Sequence, residues 1–298
     1  MSPQTEKTTT TKNLLPIEAA QLKRRREQWG QTAAHRIGGP DDGRAMIDRL
    51  GLVTLFPVSP EIPNLFHAFI GDPEAQVDSG HDSPSGEVYT WRWTLGGQEA
   101  AFYGTIVRNR PTWVSWPLLP EILRLRGELR SADELCDAGE ISAGARRIAE
   151  ALEAGDGVLS TGELRREAGF PTGKENRAAY LKALEELDRR LLVPKVFSPI
   201  PDNIDMSHAL VRTRYPKQLA AAEQLTRDEA LTRLLQPYLP AAIYVVPTTL
   251  AKHLGLPEPE LRAALDRFVE TGELAEATLS GQRGICYLWQ DRGGTSES

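Results

Sequence analysis

The sequence predicts a mixed α/β, α-rich fold of tandem winged-helix domains behind a sheet-rich N-terminal portion. Two observations point there. Twice in the second half, over 131–215 and 216–290, helical stretches are followed by two short apolar strands. Upstream, 52–56 and 88–116 concentrate aromatic and β-branched residues, including four of the six tryptophans, as pleated surfaces favour. At 298 residues with 40% hydrophobic composition the chain holds more than one ordinary core. The expected division is a disordered tail over 1–13, an N-terminal helical and sheet-rich domain over 14–130, open to reading as a divergent winged helix, winged helices over 131–215 and 216–290, and a second disordered tail over 291–298.

Taken in order, the four consecutive threonines in 1–13 offer nothing to bury. From Ile17 a polar helix carries the basic run Lys23 to Arg26 and stops near Gly30; a second, with Met46, Ile47 and Leu50 on one face, stops at Gly51. An apolar strand follows at 52–56 and is broken by Pro57, Pro60 and Pro63. The stretches VYTWRWTLGG and EAAFYGTIVRNRPTWVSW read as strands joined by a Gly-Gly turn. Their tryptophans suit a core and its rim, or a stacking platform for exposed bases beside Arg92, Arg108 and Arg110.

In the second half, Ile141, Ala145, Ile148, Ala149 and Leu152 recur at helical spacing, a capped helix ends on Gly169, and 174–191 forms a longer helix running into a strand. SPIPDNIDMS is the expected wing and HALVRTRY the returning strand. The order repeats with a helix over 217–239, a short one opening near Pro247, a third over 257–274, and strands AEATL and GICYLW.

Thirty-five basic against 41 acidic residues leave a formal charge of −6, so nucleic acid must be met through local patches. Cys136 and Cys286 lack metal-site spacing, and no phosphate loop, zinc-protease or hydrolase-elbow motif is present, so no cofactor and no metal is expected. No apolar run reaches the roughly 18 residues that span a bilayer. The expected location is the cytoplasm, without membrane association.

In a winged helix the third helix enters the major groove and the wing touches the backbone. With Tyr180, Leu181, Leu184, Leu187 and Leu191 turned to the core, Lys174, Arg177, Ala178, Lys182 and Arg189 face solvent, joined by Arg165 and Arg166. The basic residues among these, together with Arg108 and Arg110, are the candidate contacts to double-stranded DNA. The matching helix of the last module opens with Glu258 and Glu260, which suit a helix N-terminus and repel phosphate, so that module is expected to pack or to pair, as a homodimer or with a protein partner.

Tandem winged helices behind the segment LGLVTLFPVS resemble the AlkZ-like (YcaQ-like) winged-helix superfamily over most of residues 17–289. Its characterised members are bacterial DNA glycosylases that unhook crosslinked or alkylated bases. The resemblance implies a strand in which two polar residues, glutamine with glutamine or aspartate, flank one aliphatic residue and position water. The matching positions here are Thr54, Leu55 and Phe56, and the histidine-rich continuation is replaced by Pro63, Asn64, Leu65 and Phe66. An oxocarbenium-like transition state needs an anion or oriented dipoles, which Phe56 cannot supply. Thr54, Glu61 and His67 are the remaining catalytic candidates. The expected function is therefore DNA binding without ordinary glycosylase activity, in DNA repair or a stress response. The alternatives are a divergent glycosylase acting on alkylated or crosslinked bases, or a regulatory scaffold paired through its C-terminal winged helix.

Overall fold

The computed structural model describes residues 14–155, 157–200 and 205–291. Most of the two terminal segments expected to be disordered therefore lies outside it, as does Pro201 to Ile204 of the expected wing. Asp291, assigned from sequence to the second tail, instead pairs with Arg24.

A short strand β1 (Leu15–Pro16) and helix α1 (Ala19–Gln28) precede three units built on one plan: helix, strand, two helices, two strands. The first consists of α2 (Pro40–Leu50), β2 (Leu52–Thr54), α3 (Leu65–Ile70), α4 (Pro84–Gly97), β3 (Phe102–Val107) and β4 (Arg110–Val114). Helices α5 (Leu119–Arg126) and α6 (Ala132–Asp137) lead to the second: α7 (Ala143–Ala154), β5 (Val158–Ser160), α8 (Thr161–Glu167), α9 (Lys174–Asp188), β6 (Lys195–Phe197) and β7 (Met206–Ala209). After α10 (Val211–Arg214) and α11 (Pro216–Gln224) comes the third: α12 (Arg227–Ala242), β8 (Tyr244–Val245), α13 (Pro247–Leu254), α14 (Glu258–Glu270), β9 (Leu274–Thr278) and β10 (Cys286–Trp289). Each unit pairs its last strand between the other two, giving orders β2-β4-β3, β5-β7-β6 and β9-β10-β8, with β1 added parallel to β9 at the edge of the third sheet. All three units thus share one strand order, including the first, whose kinship to the winged helices the sequence left open.

Gly51 ends α2 at φ +76°, where an added Cβ would sit 2.3 Å from Leu118, so the chain turns there into β2. Strand β2 pairs with β4 through Leu52 with Val114 and Val53 with Trp113. Its side chains are buried, and the sheet closes onto Ile47, Trp91 and Trp113. The first and third units share one continuous core, in which these residues meet Leu235 and Leu265, whereas the second has its own around Ile148, Leu164, Tyr180 and Leu187.

The largest departure from expectation is VYTWRWTLGG, which is the body of α4 and not a strand. Ser83 caps the helix by accepting from Gly86 N–H, Pro84 opens it, and Val88, Trp91 and Leu95 bury one face at helical spacing. The glycine pair is no hairpin turn. A Cβ on Gly96 would lie 2.2 Å from the Phe197 ring, so the bare backbone lets β6 of the second unit rest on the end of α4. The expected helix 217–239 is also two helices, parted at Leu225 by a capping box in which Thr226 and Glu229 satisfy each other's backbone N–H. HALVRTRY contributes the end of β7 and then α10.

Candidate functional site

Directly beyond β2, the chain that connects it to α3 borders an open cleft of about 470 Å³. Pro57 to Pro60 form one wall, α1 another through Arg25, Arg26 and Trp29, and Asn64 and His67 of the α3 start lie at its base. Arg108 enters from the β3–β4 turn, in which it and Asn109 both hold positive φ (50° and 55°) and so make a two-residue hairpin connection. Tyr244 of β8 completes the lining, so the first and third units both contribute.

The catalytic candidates are all committed elsewhere. Thr54 is fully buried, and its hydroxyl donates to the Phe56 carbonyl at 2.8 Å. The backbone around it is closed too: Thr54 N–H donates to Pro63 O and Phe66 N–H to Leu55 O. Phe56 packs on Phe66 with ring centroids 5.9 Å apart. Neither side chain lines the cleft.

Glu61 is 2% exposed and is held from three directions. Its carboxylate accepts from Arg25 Nη2 and from the Val246 N–H, each at 3.3 Å, while Tyr238 OH donates to its main-chain carbonyl at 2.7 Å. Arg25 also donates to Pro60 O and lies between the Trp29 and Tyr244 rings, 4.1 and 4.2 Å from their centroids. Burial works against the Arg25 charge, but Glu61, Tyr238 and Tyr244 outweigh it and hold the guanidinium above its ordinary pKa. Burial together with Glu61 pushes Tyr238 well up. This is an ion pair that stitches α1 to α12 and β8, not a free base.

His67 has both ring nitrogens occupied. Nε2 is 3.1 Å from Ala75 O, which can only accept, so the proton sits on Nε2, and Nδ1 accepts from Asn64 Nδ2 at 3.2 Å. Asn64 Oδ1 in turn accepts from the His67 N–H and caps α3. Burial lowers the His67 pKa against the opposing pull of the Ala75 carbonyl, Asp72 and Glu74, which favours the neutral ring. The cleft is thus cationic, through Arg26 and Arg108, with Glu74 4.0 Å from Arg26. It can hold an anion, and among its described residues no carboxylate is both sheltered and unpaired. Among the described residues there is also no group of three or more His, Cys, Asp or Glu able to hold a metal, and no helix long and apolar enough to cross a membrane.

The proposed nucleic-acid contacts divide. Lys174, Arg177 and Lys182 of α9 are exposed and form no ion pair among the described residues, and Ala178 is exposed beside them. Arg165 instead donates to Pro171 O and Gly173 O, Arg166 pairs with Glu167, and Arg189 with Glu185. Leu181, expected in the core, is 46% exposed; Tyr180, Ala183 and Leu187 fill that core instead. Arg108 donates to Val58 O, and Arg110 is exposed at the start of β4. The tryptophans do not form a platform: Trp91 and Trp113 are buried, while Arg92 lies over Tyr89 and the half-buried Trp93. On helix α14, Glu260 pairs with Arg227, Glu258 with Arg262 and Arg267 with Asp228.

Sequence reasoning did not single out Arg25, Trp29, Asn64 or Tyr244 as cleft residues. The basic run and Asn64 ahead of an apolar stretch were local signals; the meeting of α1 with β8 has none.

Comparison with known proteins gives a consistent picture. The family model described as "AlkZ related" matches residues 37–254, well over half of the chain. Among solved structures, the Streptomyces sahachiroi DNA glycosylase AlkZ superposes with a TM-score of 0.55 at 16% sequence identity, covering 93% of this chain and 71% of that one. No curated protein matches. The family match takes in the first and second units whole and runs into the third as far as α13, so the chain belongs to the AlkZ-related family.

Proposed function

We propose that this chain binds duplex DNA through α9 and performs no ordinary base excision at the β2 segment. The observation that carries the reading is the contrast between two surfaces. On α9, the third helix of the second unit, Lys174, Arg177 and Lys182 stand exposed without ion partners among the described residues, as phosphate contacts require. At β2, the Thr54 hydroxyl, the Glu61 carboxylate and both His67 nitrogens are consumed by internal bonds. The related glycosylase fold supports DNA as the partner. The committed side chains support loss of the chemistry, since a shared fold does not carry its site with it.

The test measures binding of the purified chain to plain, nicked and alkylated duplexes across a salt series, with base release followed in the same tubes. Binding without release is expected. The double variant Arg177→Glu, Lys182→Glu weakens binding to all three duplexes and lowers the log–log salt slope by about 2, close to one unit for each phosphate contact removed. Unchanged affinity and slope overturn the surface assignment. Base release by the wild-type chain overturns the non-catalytic half and establishes a divergent glycosylase.

A further inference from the structure

Among the six large hydrophobic side chains that the structure leaves exposed, Leu181 is alone in lying between unpaired cations on the outer face of a third winged-helix helix. The geometry of that face is specific. At about 100° per residue, Ala178 and Leu181 straddle its midline, and Arg177 and Lys182 sit about 70° to either side of it. Lys174 lies on the midline in the first turn. Glu185, also on the midline, is a full turn beyond Leu181 toward the C-terminus and is paired with Arg189 at 2.5 Å. The N-terminal half of α9 therefore presents a narrow apolar ridge with a cation on each flank.

A helix seated in a major groove needs such a ridge. The groove is about 12 Å wide and its rims are phosphates, which the flanking Arg177 and Lys182 would meet, while its floor carries base edges. Of the groups on that floor, the thymine 5-methyl is the apolar one, and small aliphatic side chains contact it. Resting on the DNA-binding reading above, we infer that Leu181 and Ala178 read thymine methyl groups in the major groove, so that α9 discriminates sequence and does not only grip the backbone. Burial of Leu181 against a methyl also explains why a leucine stands 46% exposed between Arg177 and Lys182.

The experiment compares two duplexes of one sequence, one containing thymine and the other uracil at every such position, bound by the full chain at matched salt. The thymine duplex is expected to bind more tightly, by about fourfold for each methyl contacted. Leu181→Ala narrows that ratio, Leu181→Met preserves it, and Arg177→Glu weakens both duplexes by the same factor. Equal affinity of the wild-type chain for the two duplexes overturns the methyl readout while leaving DNA binding intact. A ratio that persists in Leu181→Ala also overturns it, because DNA shape and not the side chain would then be its source. Absence of binding to either duplex at low salt overturns the DNA-binding reading itself. A wild-type dimer that Leu181→Ala converts to monomer overturns the inference by assigning the residue to contact between copies of this chain.

Discussion

Replacing Glu61 by alanine should cost the protein far more than any surface change, because of what it leaves behind. Arg25 and Glu61 are 4% and 2% exposed, and the carboxylate also accepts the Val246 N–H. In Glu61→Ala the Arg25 guanidinium keeps its bond to Pro60 O and its two aromatic faces but loses its one carboxylate partner among the described residues, so a charge remains buried and unpaired. Removing one partner of such a pair costs about 3–5 kcal/mol, whereas replacing both by apolar side chains is far closer to neutral. Glu61→Gln, which keeps the shape and the acceptor, should fall between, at about 1–3 kcal/mol. Urea unfolding followed by far-UV circular dichroism reads the difference as a shift in midpoint at constant slope. The double variant Arg25→Met, Glu61→Leu should recover most of the loss. A cost below about 1 kcal/mol for Glu61→Ala, or a double variant no more stable than the single one, would refute the claim that this pair ties α1 to the third unit.

Three other perturbations follow from the same packing. Gly96→Ala drives a Cβ into the Phe197 ring and should cost about 1–3 kcal/mol, with Phe197→Ala restoring part of the loss in the double variant; additive losses would deny the contact. Burial, helped by Lys195, lowers the pKa of His208 to about 4, below the ordinary 6.5, so its contribution is fully present above pH 6.5 and is lost as pH falls toward 4. Wild type should lose about 3 kcal/mol more than His208→Gln between those limits, and parallel pH profiles would contradict this. Thr54→Val removes the bond to Phe56 O and should cost about 1 kcal/mol without changing DNA affinity; a loss of binding would return Thr54 to the functional surface.

Local patterns made much of this fold legible. Gly51 stops α2 as its position foretells, the five apolar positions of 141–152 are all buried, and α13, which opens at Pro247, α14 and the last two strands fall where the sequence places them. The failure at α4 is instructive. Tyr89, Trp91 and Trp93 alternate as strand residues do, yet the Ser83–Pro84 start and the spacing of Val88, Trp91 and Leu95 prevail, since burying that one face outweighs aromatic β-propensity. Gly96 could not be understood without Phe197, about a hundred residues away, and for the same reason the site was the harder part. Exposure of Lys174, Arg177 and Lys182 follows from helical periodicity, but the partners of Glu61 come from α1, α12 and Val246 between β8 and α13, and no local pattern encodes that meeting.

The repeated plan gives the chain three third helices, and their surroundings differ in a way that bears on chemistry. The end of α4 is covered by Phe197 and Ser198, and both arginines of α14 are paired within its own unit, so α9 alone among them keeps exposed cations without an ion pair among the described residues. The C-terminal end of α9 is fixed to the first unit through Asp188, which accepts from Thr105 Oγ1 at 2.7 Å, and just beyond the helix Arg190 O accepts from the N–H of Glu128 in the connection between α5 and α6. Its N-terminal half lies beyond that anchor: the helical rise alone puts Arg177 about 16 Å from Asp188. A duplex seated on Arg177, Leu181 and Lys182 is therefore gripped by one unit, while the β2 segment belongs to another. The junction of Gly96 with Phe197 and of Thr105 with Asp188 decides how the two are presented to each other. Leu52, Val53 and Leu55 keep β2 in the core whatever stands at positions 54 and 56, so the scaffold does not depend on a catalytic pair there. On the function proposed above, the binding surface and the β2 segment lie on different units, so either can change without rebuilding the other.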